Sequence, residues 1–210
     1  MAPTLTHRRP APGATLPDHR LATVDGPPAP VPDPGTVVHL QLRRFAGCPV
    51  CNRHLHSVAL RHDEIVAAGV KEVVVFHSSA DELRPHVAHL PFAVVADPAK
   101  ELYRELGVEE SRRALADPRA WPGMARGIVA SLVEVARGRH PAPSMDPGRG
   151  RWTIPADLLI GPDGTVLAAH YGAHADDQWS VDELLEQVRR SAAGPAQGAS
   201  PSASSPEATT

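Results

Sequence analysis

Two cysteines lie three residues apart, at Cys48 and Cys51, and they are the only cysteines in the chain. Residues i and i+3 share one face of an α-helix, so thiols at this spacing can form a disulfide within one turn. Pro49 suits the first turn of a helix, because its missing N–H would have no helical partner there. The free N–H groups and the dipole at a helix start stabilise a thiolate. The spacing therefore predicts a reactive thiol pair, which we expect to be reachable from solvent.

Two nearby histidines suggest other chemistry. Together with the cysteines, His54 and His56 can be written as a C-x2-C-x2-H-x-H set of zinc ligands. On a helix, however, His56 is turned well away from Cys51 and His54, which suits tetrahedral zinc poorly. His54, one turn beyond Cys51, is either a base that lowers the pKa of that thiol or a surface residue of the helix. We expect no metal and no other cofactor.

The composition excludes some partners. A net charge of −3 gives no electrostatic reason to expect nucleic acid or an anionic membrane surface. No apolar run approaches the length of a membrane span, and the first residues lack the apolar segment of a secretory signal. We therefore expect a cytoplasmic protein. In that compartment a close cysteine pair is more often redox-active or metal-bound than structural.

The cysteines stand between a β-rich run at residues 37–43 and a helical pattern that follows Gly47. Along the chain the order is β, cysteine helix, β, α, β, α, an insert, a β-hairpin and a final helix. This order predicts an α/β fold with a mixed central sheet and helices on both faces. The predicted strands are residues 37–43, 73–76, 92–95, 156–160 and 165–171; the predicted helices are 48–69, 80–89, 97–107, 124–136 and 181–190.

The chain divides into one domain and two extensions. We predict a flexible segment at residues 1–12, a domain at 13–190, and a tail at 191–210. The tail is rich in Ser, Ala, Pro and Gly and cannot bury enough apolar surface to become ordered. Within the domain, residues 108–150 form an insert that either covers the cysteines or mediates a homodimer.

Four segments of the chain resemble a known family. They are an N-terminal hairpin (16–26), the cysteine loop (45–51), an "apolar strand, Asp-Pro, helix, Leu-Gly" segment (90–108) and a late strand and turn (154–164). Together they are similar to the peroxiredoxin-like branch of the alkyl hydroperoxide reductase/thiol-specific antioxidant (AhpC/TSA) family, within the thioredoxin-fold superfamily. The resemblance implies a thioredoxin-like fold and a thiol-dependent oxidoreductase. It also implies that Pro155 is the cis-proline facing the cysteine loop.

The chain departs from the family pattern at two positions. Cys48 stands where peroxiredoxins have a threonine, three residues before the peroxidatic cysteine. Pro155 stands about where they have an arginine. The usual peroxidase site is therefore incomplete. The candidates to replace that arginine are Arg43, Arg44, Arg126 and Arg151.

The resemblance leaves two mechanisms open. In the one we favour, Cys51 attacks a peroxide, Cys48 resolves the sulfenic acid as a disulfide, and an external thiol (a thioredoxin-like protein or a small thiol) reduces it. In the other, Cys48 attacks a protein disulfide and Cys51 releases the mixed intermediate. Gly47, Pro49, Arg44 and His54 are expected to support either. A third possibility is a thioredoxin-fold sensor or binding protein whose cysteines are oxidised without turnover.

Overall fold

The computed structural model describes residues 9–108, 118, 121–137 and 152–193. Residues 1–8 and 194–210 of the two predicted extensions, and most of the insert outside its helix, lie beyond these residues. The strands are β1 (His19–Leu21), β2 (Ala29–Val31), β3 (Val37–Leu42), β4 (Val70–Phe76), β5 (Ala93–Ala96), β6 (Ala156–Ile160) and β7 (Val166–Tyr171). The helices are α1 (Pro49–Leu60), α2 (His62–Ala67), α3 (Ala80–Val87), α4 (Glu101–Glu105), α5 (Trp121–Ala136) and α6 (Val181–Ala192).

The central sheet is mixed, as predicted. Within the described ranges it has five strands in the order β5-β4-β3-β6-β7. The pairs β3–β4 and β4–β5 are parallel, whereas β3–β6 and β6–β7 are antiparallel. The predicted N-terminal hairpin is confirmed as the antiparallel pair β1–β2, and Thr23 attaches this hairpin to the sheet through a bridge to Val95. Strand β3, which leads to the cysteines, is therefore central.

Alternation along β3 assigns its residues to two different layers, because successive side chains of a strand point to opposite faces. Leu40 and Leu42 belong to a buried apolar cluster that includes residues of the N-terminal hairpin and of α4. His39, Gln41 and Arg43 point the other way, and Arg43 reaches His54 on α1. Helices thus pack on both faces of the sheet, which confirms the predicted fold class.

The start of one strand differs from the prediction by three residues. Strand β4 begins at Val70, three residues before the expected start at Val73. The polar pair Lys71–Glu72 interrupts the apolar run in the sequence, but Glu72 is buried and opposes His39 in the β3–β4 register. A buried charged residue that has a partner on the next strand looks like a loop residue when the sequence is read alone.

The helix caps follow the sequence closely. Ser79 and Ser180 each form a capping box with the glutamate three residues later, as the Ser-x-x-Glu spacing favours. The prediction of a single helix at residues 48–69 is wrong. Arg61 (φ −114°) interrupts it and separates α1 from α2. Gly69, with φ +77°, follows α2 as the predicted stop.

Helix α5 confirms the helix predicted within the insert, and three of its apolar side chains are exposed. Ile128, Val129 and Leu132 are 47%, 61% and 63% exposed. The buried residue on this helix, among those whose side chains are described, is Gly127. No helix in the described part of the chain is both long enough and apolar enough to span a membrane.

Candidate active site

The cysteine pair opens α1. Cys48 is the N-cap residue, with an extended-type ψ of 116°, and Pro49 is the first helical residue, as predicted. Gly47 adopts φ +71°, a left-handed conformation that glycine accepts without strain, so it makes the turn from the loop into the helix. The backbone N–H of Cys48 donates to the carbonyl of Phe45 at 3.1 Å. Both cysteines are free thiols.

The thiols are not reachable from solvent, which corrects the expectation from the sequence. Cys48 is 0% exposed and Cys51 is 1% exposed. They belong to an apolar cluster that includes Phe45, Val50 and Phe76. A substrate must therefore enter this cluster, or part of it must move, before either sulfur reacts.

The two thiols ionise at very different pH. Burial opposes ionisation of Cys48, but a hydrogen bond from the Cys51 thiol, the charge of Arg44 and the N–H groups of Cys51 and Val50 outweigh it, so the pKa of Cys48 falls to about 6. Burial and the neighbouring Cys48 raise the pKa of Cys51 well above its ordinary value. At neutral pH Cys48 is the thiolate and Cys51 is the proton donor to it.

Among the described arginines that were candidates for the site, Arg44 is the one that contacts the cysteine pair. Its Nη1 lies 3.7 Å from Cys48 Sγ, and its guanidinium also lies over the Phe45 ring, 5.3 Å from the centroid. Of the other candidates, Arg43 contacts a separate cluster, Arg126 is exposed on α5, and Arg151 lies outside the described residues. The backbone around Arg44 is held by a hydrogen bond from the His77 N–H to its carbonyl at 3.2 Å.

A buried ionic cluster lies on the α1 side of the sheet. Its members are His39 and Gln41 on β3, Arg43 directly after that strand, Glu72 on β4 and Asp157 on β6, each at most 1% exposed. Burial alone would lower the pKa of His39, but Glu72 and Asp157 outweigh it and raise the pKa to about 9. His39 Nε2 lies 3.1 Å from Asp157 Oδ1, and its Nδ1 lies 3.0 Å from Glu72 Oε1. The imidazolium therefore donates to both carboxylates.

Asp157 is the centre of this cluster. Arg43 donates to both of its oxygens, and the backbone N–H of Trp179 donates to Oδ2 at 3.2 Å. Burial opposes its ionisation, but the charge of Arg43 and the hydrogen bond from His39 hold its pKa well below the ordinary range. The cluster thus contains two cations and two carboxylates, a balanced set of buried charges.

His54 belongs to this cluster. It is 7% exposed, so the surface-residue interpretation is wrong. Its Nε2 lies 3.1 Å from Arg43 Nη2. A guanidinium can only donate, so Nε2 is the acceptor and the ring proton is on Nδ1. Burial and then the charge of Arg43 lower the pKa of His54 well below its ordinary value. With Nε2 occupied by Arg43, His54 is not a base for Cys51 in this arrangement.

The zinc interpretation finds no support in this geometry. His54 is directed to Arg43, and no group of three or more potential metal ligands is present among the described residues.

Pro155 corrects one expectation that came from the family resemblance. The cis peptide bond in the described part of the chain is Val31–Pro32, so the bond before Pro155 is not cis. The Pro155 carbonyl accepts from the Gly172 N–H at 3.0 Å. The next residue, Ala156, opposes Leu42 in the β3–β6 register. Pro155 is therefore placed at the end of β3 from which the cysteine loop departs.

Two side chains that support the loop were not predicted as site residues. Ser78 accepts a hydrogen bond from the Ala46 N–H at 3.0 Å. The Tyr103 hydroxyl lies within hydrogen-bond distance of two carbonyl oxygens, those of Arg43 and of Val75 (2.8 Å), and its single hydrogen is shared between them. The sequence carries no signal for either contact, because each one joins segments that are distant along the chain.

Known proteins resemble this chain in sequence and in fold. A family model described as AhpC/TSA antioxidant enzyme matches residues 56–174, more than half of the chain. The matched residues begin after the cysteine pair. No curated protein matches the sequence at a significant level.

Solved structures share the fold at low sequence identity. Peroxidoxin BcpB from Mycobacterium tuberculosis superposes with a TM-score of 0.59 and 14% identity, over 87% of this chain and 98% of that one. A cysteine-to-serine mutant of peroxiredoxin 6 from Arenicola marina gives 0.60 and 15%, over 85% and 71%. A protein assigned as the thiol:disulfide interchange protein DsbE from Chlorobium tepidum gives 0.53 and 19%, over 87% and 98%. At these identities the likeness shows a thioredoxin-like fold.

Proposed function

The chain belongs to the AhpC/TSA antioxidant enzyme family, and on that premise we propose that it reduces peroxides through a Cys48–Cys51 pair that cycles between dithiol and disulfide. Family and fold support a thiol-dependent redox function. The observation that carries the finer proposal is the contact of Arg44 with Cys48 at the start of α1, where the thiolate is stabilised. The proposal exchanges the two cysteine roles that the family resemblance implied: Cys48 attacks and Cys51 resolves.

The proposed first step oxidises Cys48. Its thiolate attacks one oxygen of a hydroperoxide, an S–O bond forms as the O–O bond breaks, and the leaving alkoxide takes up a proton to depart as an alcohol. Arg44, 3.7 Å from the sulfur, is placed to stabilise negative charge on the reacting oxygens. The product is a sulfenic acid on Cys48.

The second step forms the disulfide. Cys51 loses its proton and its sulfur attacks the Cys48 sulfur; the S–O bond breaks, and the hydroxide leaves as water with the proton from Cys51. An external dithiol then reduces the disulfide and becomes a disulfide itself. The high pKa of Cys51 suits this order, because Cys51 remains a thiol while Cys48 is the nucleophile.

Burial favours a small oxidant. Because Cys48 is fully buried, a protein disulfide cannot contact its sulfur without displacing the residues around it, whereas a hydroperoxide has few atoms to admit. A second candidate function, disulfide exchange with a protein substrate, is favoured by a different observation. Disulfide exchange requires a low-pKa thiolate at the more N-terminal cysteine and a buried thiol at the other. Cys48 and Cys51 have this order.

The test compares two matched variants, Cys48→Ser and Cys51→Ser, after one equivalent of hydrogen peroxide in the presence of a sulfenic-acid probe. We expect Cys51→Ser to be labelled at Cys48 and Cys48→Ser to remain unlabelled, while the wild-type protein forms the internal disulfide and carries little label. Labelling of Cys51 in Cys48→Ser at the wild-type rate would restore the opposite assignment. Rapid reduction of insulin disulfides with slow peroxide reduction would select the second candidate.

A further inference from the structure

Among the positions of α5 whose burial is described, one glycine is buried and the others are exposed. On the described residues of this helix, Ala125, Arg126, Ile128, Val129, Leu132 and Val133 are all exposed, while Gly127 is buried. A Cβ atom placed on Gly127 would lie 3.1 Å from the carbonyl oxygen of Pro49 and 3.3 Å from the backbone nitrogen of Val50. The backbone of α5 therefore rests directly on the Pro49–Val50 peptide.

This peptide joins the two reactive positions. It lies between Cys48 and Cys51, and the N–H of Val50 is one of the groups that lower the pKa of Cys48. The helix crossing is thus located at the start of α1, where the thiolate is held and where both sulfurs are fully buried. A helix packed this closely leaves no room for a large substrate to approach from that side.

We propose that α5 is a size filter for the substrate of Cys48, and that Gly127 sets how closely the filter rests on the cysteine loop. This inference rests on the proposed function, because it takes Cys48 as the nucleophile. The filter admits small hydroperoxides and excludes bulky hydroperoxides and protein disulfides. Gly127 is a positioning residue: it touches the backbone beside the thiols and acts through the distance between two helices.

Larger side chains at Gly127 should lift α5. A methyl group at 3.1–3.3 Å from backbone atoms of α1 forces a shift of a few tenths of an ångström, and the branched side chain of valine forces a larger one. Alanine is also the better helix former by about 1 kcal/mol, so a change in Gly127→Ala does not come from loss of the helix itself.

The experiment measures thiol access in the full chain without any peroxide. Alkylation of Cys48 by iodoacetamide and by a maleimide carried on a polymer chain is followed by mass spectrometry of the cysteine peptide, and each rate is divided by that of a free small thiol. We expect the wild-type protein to discriminate strongly against the bulky reagent. In Gly127→Val the bulky reagent should gain at least about tenfold relative to the small one, with a smaller gain in Gly127→Ala.

The control is Ala125→Val, which adds a comparable branched side chain to an exposed position of the same helix. Its discrimination should equal that of the wild type. The pKa of Cys48, read from the pH dependence of the iodoacetamide rate, should stay near its wild-type value in Gly127→Ala, which separates access from activation.

Equal relative rates for the small and bulky reagents in the wild-type protein would overturn the filter, and so would unchanged discrimination in folded Gly127→Val and Gly127→Ala. Even if both variants fail to fold, equal relative rates in the wild-type protein would still overturn the proposal. Comparing hydrogen peroxide with cumene hydroperoxide then extends the test to turnover. If neither peroxide is reduced but the size discrimination of alkylation persists, the proposed function fails and the filter stands.

Discussion

Arg43 and Arg44 are neighbours in the sequence, yet their guanidinium groups lie in two different kinds of buried environment. Arg43, 0% exposed, is held by the carboxylate of Asp157 and by Gln41 and His54. Arg44, 4% exposed, lies beside the Cys48 sulfur and the Phe45 ring. Arg43 belongs to a network whose charges balance without the cysteines. Arg44 instead lies beside a thiol that can lose a proton and can be oxidised.

This difference separates stability from reactivity. A carboxylate with a strongly lowered pKa stays ionised at any physiological pH, so the Arg43–Asp157 pair is a fixed structural element. A thiol ionises near neutral pH when a cation lies next to it, so the Arg44–Cys48 contact can respond to pH and to oxidants. Changes in one region should therefore leave the other region's characteristic property nearly unchanged.

The largest effect is expected in the ionic cluster. Asp157→Asn removes the carboxylate that Arg43, His39 and the Trp179 N–H share, and should lower the free energy of unfolding by about 3–5 kcal/mol, because buried cations lose their counter-charge. Urea denaturation measures this loss. Asp182→Asn, which removes an exposed ion pair with Arg61, should cost far less, because solvent screens that pair. If the folded Asp157→Asn protein also showed a strongly altered Cys48 pKa, the separation of the two regions would be wrong.

The next effect is a pair of opposite pH dependences. His39 has a folded-state pKa of about 9 against an ordinary value of 6.5, so its stabilisation is complete below pH 6.5 and is lost as the pH rises through about 9. Cys48, with a folded-state pKa of about 6 against 9.0, contributes stabilisation that is complete above pH 9 and is lost as the pH falls through about 6. Between about pH 6 and pH 9, the His39 contribution to stability falls as the pH rises, whereas the Cys48 contribution increases.

Removing the thiol should reveal the histidine. In Cys48→Ser the free energy of unfolding should fall by ~3 kcal/mol between pH 6.5 and about 9. In the double variant Cys48→Ser with His39→Gln this slope should largely disappear, although the protein is less stable at every pH. Urea midpoints across the interval measure both slopes. A flat profile in the single variant would show that His39 is not the protonated centre of the cluster.

The smallest effect is expected at the cysteines. Arg44→Met keeps much of the apolar stem but removes the charge, and should raise the pKa of Cys48 by about one unit, ~1.4 kcal/mol. The pH dependence of the thiolate absorbance reports this pKa. Arg53→Met, at a partly exposed arginine of α1 that pairs with Asp176, is the matched control and should leave it unchanged. An equal shift in both variants would mean that general positive charge, rather than the Arg44 contact, stabilises the thiolate.

Local patterns predicted most of the elements. Both Ser-x-x-Glu sequences became capping boxes, Gly69 ended its helix region, and the strand at 156–160 was placed within its true bounds. These features depend on residues within a few positions of one another. The break at Arg61 was missed. The early start of β4 at Val70 was missed because the partner of its buried Glu72, His39, lies on another strand.

The sequence by itself determined that two thiols meet at the start of a helix, since the C-x-x-C spacing, Gly47 and Pro49 are local requirements of that geometry. Only the tertiary structure decided which arginine reaches the sulfur, that His54 is directed to Arg43, and that a helix from a distant part of the chain packs on the peptide between the two thiols. The physical reason is that burial and charge act through space. The pKa of a thiol depends on the groups within a few ångströms of it, and distant segments of the chain supply many of those groups.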